Sequence, residues 1–134
     1  MDVFRRILFS KIHRLTVTHA DLEYEGSIAL PPELLGASGI AVGEAVSVWN
    51  VTNGNRFETY TIQGSPGSGA VMINGAAAHL AKPGDIIIVA AFCFVHAAKI
   101  HEITPQIVFV DDCNKIKEIR QERIDSLKME YKGK

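Results

Sequence analysis

Residues 44–62, EAVSVWNVTNGNRFETYTI, contain two runs rich in β-branched and aromatic residues on either side of an Asn-Gly pair. Such residues favour strands, and Asn-Gly is preferred in tight hairpin turns because both residues tolerate positive φ. We therefore predict a β-hairpin with strands at residues 44–51 and 57–62, joined through residues 52–55.

Other short strands are predicted on both sides of this hairpin. Residues 10–18 alternate in polarity, which places Lys11, His13, Leu15 and Val17 on one strand face. The remaining candidate strands are apolar runs next to Gly, Pro or Asp turns, at residues 28–30, 71–73, 86–94 and 104–110. Several short strands with few helical patterns predict a mainly-β fold, a small β-barrel.

Three helical segments are expected in addition to the strands. Residues 33–38 and 75–79 have the length of short helices or helical turns. Residues 114–131 are charged and carry Ile116, Ile119, Ile124 and Leu127 at broadly helical spacing, which predicts a C-terminal helix.

Composition limits the function classes. A chain of 134 residues fits one domain, residues 1–134. Its net charge of −1 gives no positive electrostatic potential that would attract nucleic acid, so nucleic acid is not expected as a partner. The two cysteines, Cys93 and Cys113, are far apart and form no paired metal-ligand motif. The apolar stretch at residues 7–9 is too short for a signal peptide or a membrane span, so we expect a cytoplasmic protein with no membrane partner.

Familiar phosphate and metal motifs are absent from the sequence, and no metal site is predicted. Lys11, His13, Arg56 and Tyr60 lie at or near strand positions. Taken singly, each is more often a surface group than a catalyst. The absence of these motifs favours a reaction that uses no external cofactor, or a reaction whose cofactor is made from the chain itself.

Three segments that occur in order change this assessment. They are HADLEYEGS at residues 19–27, WNVTNGNRF at residues 49–57 and NGAAAH at residues 74–79. Together they resemble the bacterial aspartate 1-decarboxylases, and the resemblance runs from about Arg6 to Phe92. Beyond Phe92 the sequence departs from the family pattern and is more charged.

The resemblance implies a fold, an assembly and a reaction. The fold would be a six-stranded double-psi β-barrel, and the assembly a homotetramer with active sites between subunits. The reaction would convert L-aspartate to β-alanine and CO2, for pantothenate and coenzyme A synthesis. The cofactor would be a covalent pyruvoyl group, with no metal and no pyridoxal phosphate.

The resemblance also implies that the chain cuts itself between Gly26 and Ser27, giving chains 1–26 and 27–134. Ser27 would become the pyruvoyl group, which forms a Schiff base with the substrate amine and accepts the electrons released on decarboxylation. Gly26 suits the position before the cut because glycine permits strained dihedrals and close approach. Whether cleavage is spontaneous or needs a maturation factor is left open.

Other family positions are matched as well. Thr59 would stabilise the oxyanion during cleavage and contact substrate, and Tyr60 would donate a proton to the carbanion. Arg56 and Lys11 would bind the substrate carboxylates, without a choice as to which cation holds which group. The pocket lining would be Asn74, Gly75, Ala76 and Ala77, with supporting roles for His13, Tyr24 and Trp49.

Two alternatives remain at this stage. The protein could be a pyruvoyl decarboxylase of another amino acid such as glutamate, because one methylene changes binding by only about 1–3 kcal/mol. It could also be a non-catalytic barrel module that binds a ligand or partner. The joint presence of Gly26-Ser27, Thr59, Tyr60, Lys11 and Arg56 argues against the second alternative.

Overall fold

Strands are the main regular structure in the computed structural model, which describes residues 1–133. The nine strands found there are β1 (Phe4–Thr16), β2 (His19–Asp21), β3 (Ser27–Leu30), β4 (Ala45–Asn50), β5 (Arg56–Gln63), β6 (Met72–Asn74), β7 (Ile86–His96), β8 (Gln106–Val110) and β9 (Ile116–Gln121). One α-helix, α1, spans Pro32–Ser38, and three 3₁₀ helices span Gly75–His79, Ala97–Glu102 and Ile124–Ser126. No helix within residues 1–133 is long and apolar enough to cross a membrane.

The strands form one sheet in the order β2-β6-β3-β5-β4-β7-β1-β8-β9. One face of this sheet and α1 enclose a single apolar core, whose fully buried members include Ile12, Ile28, Val48, Ile73 and Val89. The mainly-β, barrel-like prediction is therefore confirmed. The described sheet has nine strands instead of six, and its terminal strands β2 and β9 do not pair with each other, so it is not closed.

The predicted hairpin is present as β4 and β5. The two strands run antiparallel, with Val48 opposite Phe57 and Trp49 opposite Arg56. The 3₁₀ helix at Gly75–His79 and the helix α1 also lie where the sequence predicts them.

Strand β1 is longer than predicted, and its faces differ from simple alternation. Arg14 has a φ of 65°, and the register against β7 shifts between Ile12 and Leu15. This irregularity turns Leu15 into the core beside Ile12, so the prediction that Leu15 shares a face with Lys11 and His13 is wrong.

The predicted C-terminal helix over residues 114–131 is also wrong. This segment forms β9 and a 3₁₀ helix, Ile124–Ser126. Strand β9 pairs with β8, so that Ile119 lies opposite Val108 and Arg120 stacks 4.5 Å from the Phe109 ring. Pairing with β9 gives hydrogen-bond partners to the backbone groups along a whole edge of β8. This stabilises the strand more than the helical spacing of the isoleucines stabilises a helix.

Asn114 connects the β8–β9 turn to two distant parts of the chain. Asn114 is buried, and its backbone has a φ of 61°. Asn114 Oδ1 accepts from Thr16 N at 2.8 Å, while Nδ2 donates to Thr16 O at 2.9 Å and to Gly69 O at 2.8 Å. One amide therefore satisfies the end of β1 and the loop that precedes β6.

We predict that Asn114→Ala lowers the free energy of unfolding by about 2–4 kcal/mol, because three backbone groups lose their partner. Asn114→Gly also loses these bonds but suits the positive φ, so it should recover about 1 kcal/mol of that loss. Urea unfolding at one protein concentration measures both. Asp112→Ala, in the same turn but exposed, is the control and should change stability by less than about 0.5 kcal/mol. A shift in Asn114→Ala no larger than in this control would contradict the anchoring role.

Candidate active site

Ser27 is the first residue of β3, a strand flanked by β6 on one side and β5 on the other. Its side chain is 1% exposed although the residues just before it are exposed. Asn74, directly opposite on β6, donates from Nδ2 to Ser27 Oγ at 3.1 Å. Ser27 Oγ in turn donates to Glu25 O at 3.3 Å. The hydroxyl is thus held from two sides in a buried position.

Gly26 lies at the boundary between an exposed turn and the buried strand. Its φ lies outside the left-handed region, and a Cβ on Gly26 would approach Asn74 O at 3.9 Å, an ordinary contact. The strained dihedral expected for Gly26 is therefore not present in the uncut chain. Gly75, whose backbone packs against Gly26, has a positive φ of 71° instead.

A cleft of about 440 Å³ lies on the Ser27 side of the sheet. Its polar lining includes Asp21, Tyr24 and Asn74, and its apolar wall includes Ile62 and Met72. Asp21 is a residue that the sequence reasoning did not single out. The signal was available, since Asp21 lies in the HADLEYEGS segment and pairs with Asn74 across β2 and β6.

Strand β5 brings Thr59 and Tyr60 to the end of β3. Thr61 lies opposite Ile28 in the parallel pairing, so the same register places Tyr60 level with Ser27 and Thr59 level with Gly26. Tyr60 is 42% exposed and lies on the face turned away from the core, whereas Thr59 is half-buried. Both predicted residues are therefore near the candidate cleavage point.

Arg56 and Trp49 form a separate group farther along the hairpin. They are directly opposite on β5 and β4, and the Arg56 guanidinium lies 5.2 Å from the centre of the Trp49 ring. Both line a smaller cleft of about 200 Å³. The stacking orients the guanidinium while its N–H groups stay available for an anion.

Lys11 lies on β1, four strands from Ser27 in the order of the sheet. The row Lys11–Ala90–Ser47–Glu58 crosses β1, β7, β4 and β5, and β3 follows β5. Four strand spacings correspond to about 19 Å along the sheet. Within one chain, four strand spacings of the sheet therefore separate Lys11 from Ser27.

His13 lies in a third cleft, of about 440 Å³, whose lining includes Asp111, Asp112 and Lys117. Its ring packs edge-on against Phe109 with centroids 5.5 Å apart. Within residues 1–133 its Nδ1 is buried without a hydrogen-bond partner. Burial, followed by the nearby charges of Lys11 and Arg14, lowers the pKa of His13.

The remaining predicted pocket residues are in the 3₁₀ helix after β6. Ala76 is exposed, whereas Ala77 is half-buried and packs against the apolar core. The structure thus brings together Gly26, Ser27, Asn74 and Gly75, with Thr59 and Tyr60 on the adjacent strand. It leaves Arg56, Lys11 and His13 elsewhere in the chain.

Comparison with known proteins identifies the family. The sequence profile of the aspartate decarboxylase family matches residues 3–117, so the chain belongs to that family. The match continues through β8 and into β9, well past Phe92, where the sequence resemblance was expected to end.

Curated relatives agree with this assignment. The chain is 54% identical over 121 residues to the aspartate 1-decarboxylase of Legionella pneumophila (strain Lens), covering 90% of this chain and 91% of the relative. It is 55% identical over 113 residues to the aspartate 1-decarboxylase of Myxococcus xanthus (strain DK1622), covering 84% and 87%. That of Leptothrix cholodnii is 47% identical over 120 residues, covering 90% and 92%.

The lowered pKa of His13 predicts a specific pH dependence of stability. The unfolded chain binds a proton at this position at higher pH than the folded chain does, so stability falls as pH drops below about 6.5 and levels off below the folded-state pKa. His13→Gln should reduce the fall in unfolding free energy between about pH 7 and pH 5. Urea unfolding in a Ser27→Ala background, which keeps the chain in one piece, measures it.

His101→Gln is the matched control, because His101 is exposed and outside the three clefts. It should keep the pH dependence of the parent. If His13→Gln and His101→Gln gave the same dependence of unfolding free energy on pH, the half-buried His13 imidazole would not be the source of the acid sensitivity.

Proposed function

We propose that this protein decarboxylates L-aspartate to β-alanine and CO2, the β-alanine serving pantothenate and coenzyme A synthesis. The catalytic group would be a pyruvoyl made from Ser27 after the chain cuts itself at Gly26-Ser27. Family membership supports the reaction. The observation that carries the maturation step is the burial of Ser27, with its hydroxyl held by Asn74, directly after an exposed Gly26.

The first step of maturation is an acyl shift. Ser27 Oγ attacks the Gly26 carbonyl carbon, the Gly26–Ser27 C–N bond breaks, and the hydroxyl proton ends on the released amine, leaving an ester. Asn74 donates to Oγ and Oγ donates to Glu25 O, which leaves a second lone pair on Oγ for the attack. Thr59, level with Gly26, is the candidate donor to the oxyanion.

The second step removes Gly26 as a leaving group. Loss of the Ser27 α-proton expels the Gly26 carboxylate and leaves dehydroalanine. Hydrolysis of dehydroalanine then releases ammonia and leaves the pyruvoyl ketone at the start of the chain 27–134. A water molecule enters and ammonia leaves, so no external oxidant is needed.

The residues around Ser27 fit a pyruvoyl group. At this position such a group would supply a ketone able to hold the substrate amine and an electron sink for decarboxylation. The position at the start of β3 is buried, which limits access of water, and Asn74, which contacts Ser27 Oγ, lines the neighbouring cleft. Tyr60, level with Ser27 on the same side of the sheet, is the candidate proton donor to the carbanion.

The substrate has two carboxylates, and the cations proposed to bind them are not adjacent to Ser27 of the same chain. Lys11 lies four strands away, and Arg56 lies on the hairpin with Trp49. We infer that a neighbouring subunit supplies at least Lys11, which completes the site in a homotetramer.

Aromatic residues on the adjacent strands β4 and β7, half-buried at Trp49 and Phe92 and exposed at Phe94, support such an association. Trp49 and Phe92 are neighbours there, with ring centroids 6.5 Å apart, and Arg6 stacks 4.5 Å from Phe92. Phe94, near the end of β7, is 77% exposed. Aromatic and arginine side chains are enriched where protein surfaces associate.

We predict that the purified protein consists of a chain 1–26 and a chain 27–134 that begins with pyruvoyl. Ser27→Ala should give one uncut chain without activity, because the hydroxyl that attacks Gly26 is gone. Asn74→Ala should cut more slowly, because it removes the donor to Ser27 Oγ. Intact mass spectrometry measures cleavage, and β-alanine release from aspartate, with glutamate assayed in parallel, measures turnover.

A fully active protein with an intact Gly26-Ser27 bond would refute the pyruvoyl mechanism. Faster release of product from glutamate than from aspartate would refute the substrate assignment. Cleavage that completes in the cell but not in the isolated protein would indicate a maturation factor.

Mixed assemblies test the shared site. Ser27→Ala and Lys11→Ala chains should each be inactive alone, but co-expression should restore activity, because one chain supplies pyruvoyl and the other supplies Lys11. Random mixing in a closed oligomer would make about a quarter of the sites complete.

Tyr60→Phe is the matched partner for this experiment. Because Tyr60 lies beside Ser27 in the same chain, co-expression of Ser27→Ala with Tyr60→Phe should restore no activity. Equal behaviour of the two pairs, either both restoring or both failing, would contradict the division of the site between subunits.

A further inference from the structure

Gly75 makes an unusually close backbone approach to the residue before the proposed cut. A Cβ at Gly75 would lie 2.6 Å from Gly26 Cα, 2.7 Å from Gly26 N and 3.0 Å from Tyr24 O. All three are backbone atoms, so no flexible side chain could move aside. Gly75 also has a φ of 71°, in the region that favours glycine.

The two sides of the Gly26-Ser27 bond are held in different ways. Ser27 is buried in β3 and fixed by strand pairing and by Asn74. Gly26 belongs to an exposed turn, outside any strand. The position of the carbonyl carbon relative to Ser27 Oγ therefore depends on what supports the turn, and the Gly75 backbone lies directly against it.

We propose that Gly75 is a positioning residue for self-cleavage, whose bare α-carbon supports the Gly26 backbone within reach of Ser27 Oγ. This inference rests on the proposed maturation and gives Gly75 a role before the substrate binds. It also explains why the glycine requirement in this region falls on Gly75, whereas Gly26 has room for a methyl group.

The test is Gly75→Ala in the full-length protein, with the rate of chain cleavage followed by mass. The added methyl must displace Gly26, and a misplacement of about 1 Å commonly costs about 100-fold in rate, so we expect a loss of that order. Hydroxylamine at neutral pH, which cleaves the Gly26–Ser27 ester but not the Gly26–Ser27 peptide bond, should release less of chain 1–26 from the variant. This result would locate the defect before the ester, at the acyl shift.

Gly67→Ala is the matched control for backbone strain. Gly67 has a φ of 66°, close to that of Gly75, but a Cβ there meets no atom of residues 1–133 within 4 Å. Both alanine variants should lose thermal stability through the positive φ, Gly75→Ala by more because its methyl must also displace Gly26, while Gly67→Ala should cut at the parental rate. Gly75→Asn and Gly67→Asn form a second pair, since asparagine tolerates positive φ but carries the same Cβ. The two asparagine variants replace the alanine pair in the test if Gly75→Ala fails to fold.

Measuring the turnover number per pyruvoyl group distinguishes a role of Gly75 in cleavage from a role in substrate binding alone. In Gly75→Ala the loss in cleavage rate should exceed the loss in turnover by the chains that do mature. Cleavage of folded Gly75→Ala or Gly75→Asn at the parental rate would overturn the proposal, as would equal slowing in the Gly67 controls. An unsubstituted protein that stays uncut would instead refute the proposed function, and this inference with it.

Discussion

The hydrogen bond between Asn74 and Ser27 requires one particular register of β6 against β3. Side chains alternate along a strand, so a slip of one residue would turn Ser27 into the core and leave Ile28 outside. Ile28 and Ile73, which are opposite each other and fully buried, prevent that slip. Burial of two isoleucines on one face of the sheet thus fixes a hydroxyl and an amide on the other. The chemistry proposed at Ser27 depends on this apolar pair.

Local patterns predicted the parts of the fold that local residues determine. The Asn-Gly hairpin and the 3₁₀ helix after Asn74 are examples, since turn chemistry is contained in a few neighbouring residues. The C-terminal segment was mispredicted because its isoleucine spacing suits a helix, while the strand edge it pairs with forms only when the preceding strand β8 joins the distant β1. The reversal of Leu15 likewise follows from a single bulge at Arg14, which an alternating pattern does not reveal.

In the candidate site, too, local motifs could be predicted from the sequence, whereas contacts between distant segments could not. The motif around Ser27 and the motif around Asn74 could be recognised in sequence, and they do meet in the structure. The contact of Gly75 with Gly26 could not be foreseen, because it arises when two distant segments pack together. The separation of Lys11 from Ser27 also has no sequence signal, since strand order in the sheet differs from strand order in the chain.

The place of β1 in the sheet has a consequence for the mature protein. This strand lies between β7 and β8, and it belongs to the segment that a cut after Gly26 would separate from the rest. Residues 1–26 contain no cysteine, so hydrogen bonds and packing alone would retain them. Refolding of the uncut chain would be unimolecular, whereas a cut protein would have to recover residues 1–26 by diffusion. The lifetime of the folded mature protein would then be set by the rate at which the segment 1–26 dissociates. If the protein were denatured and diluted, that segment would not rebind.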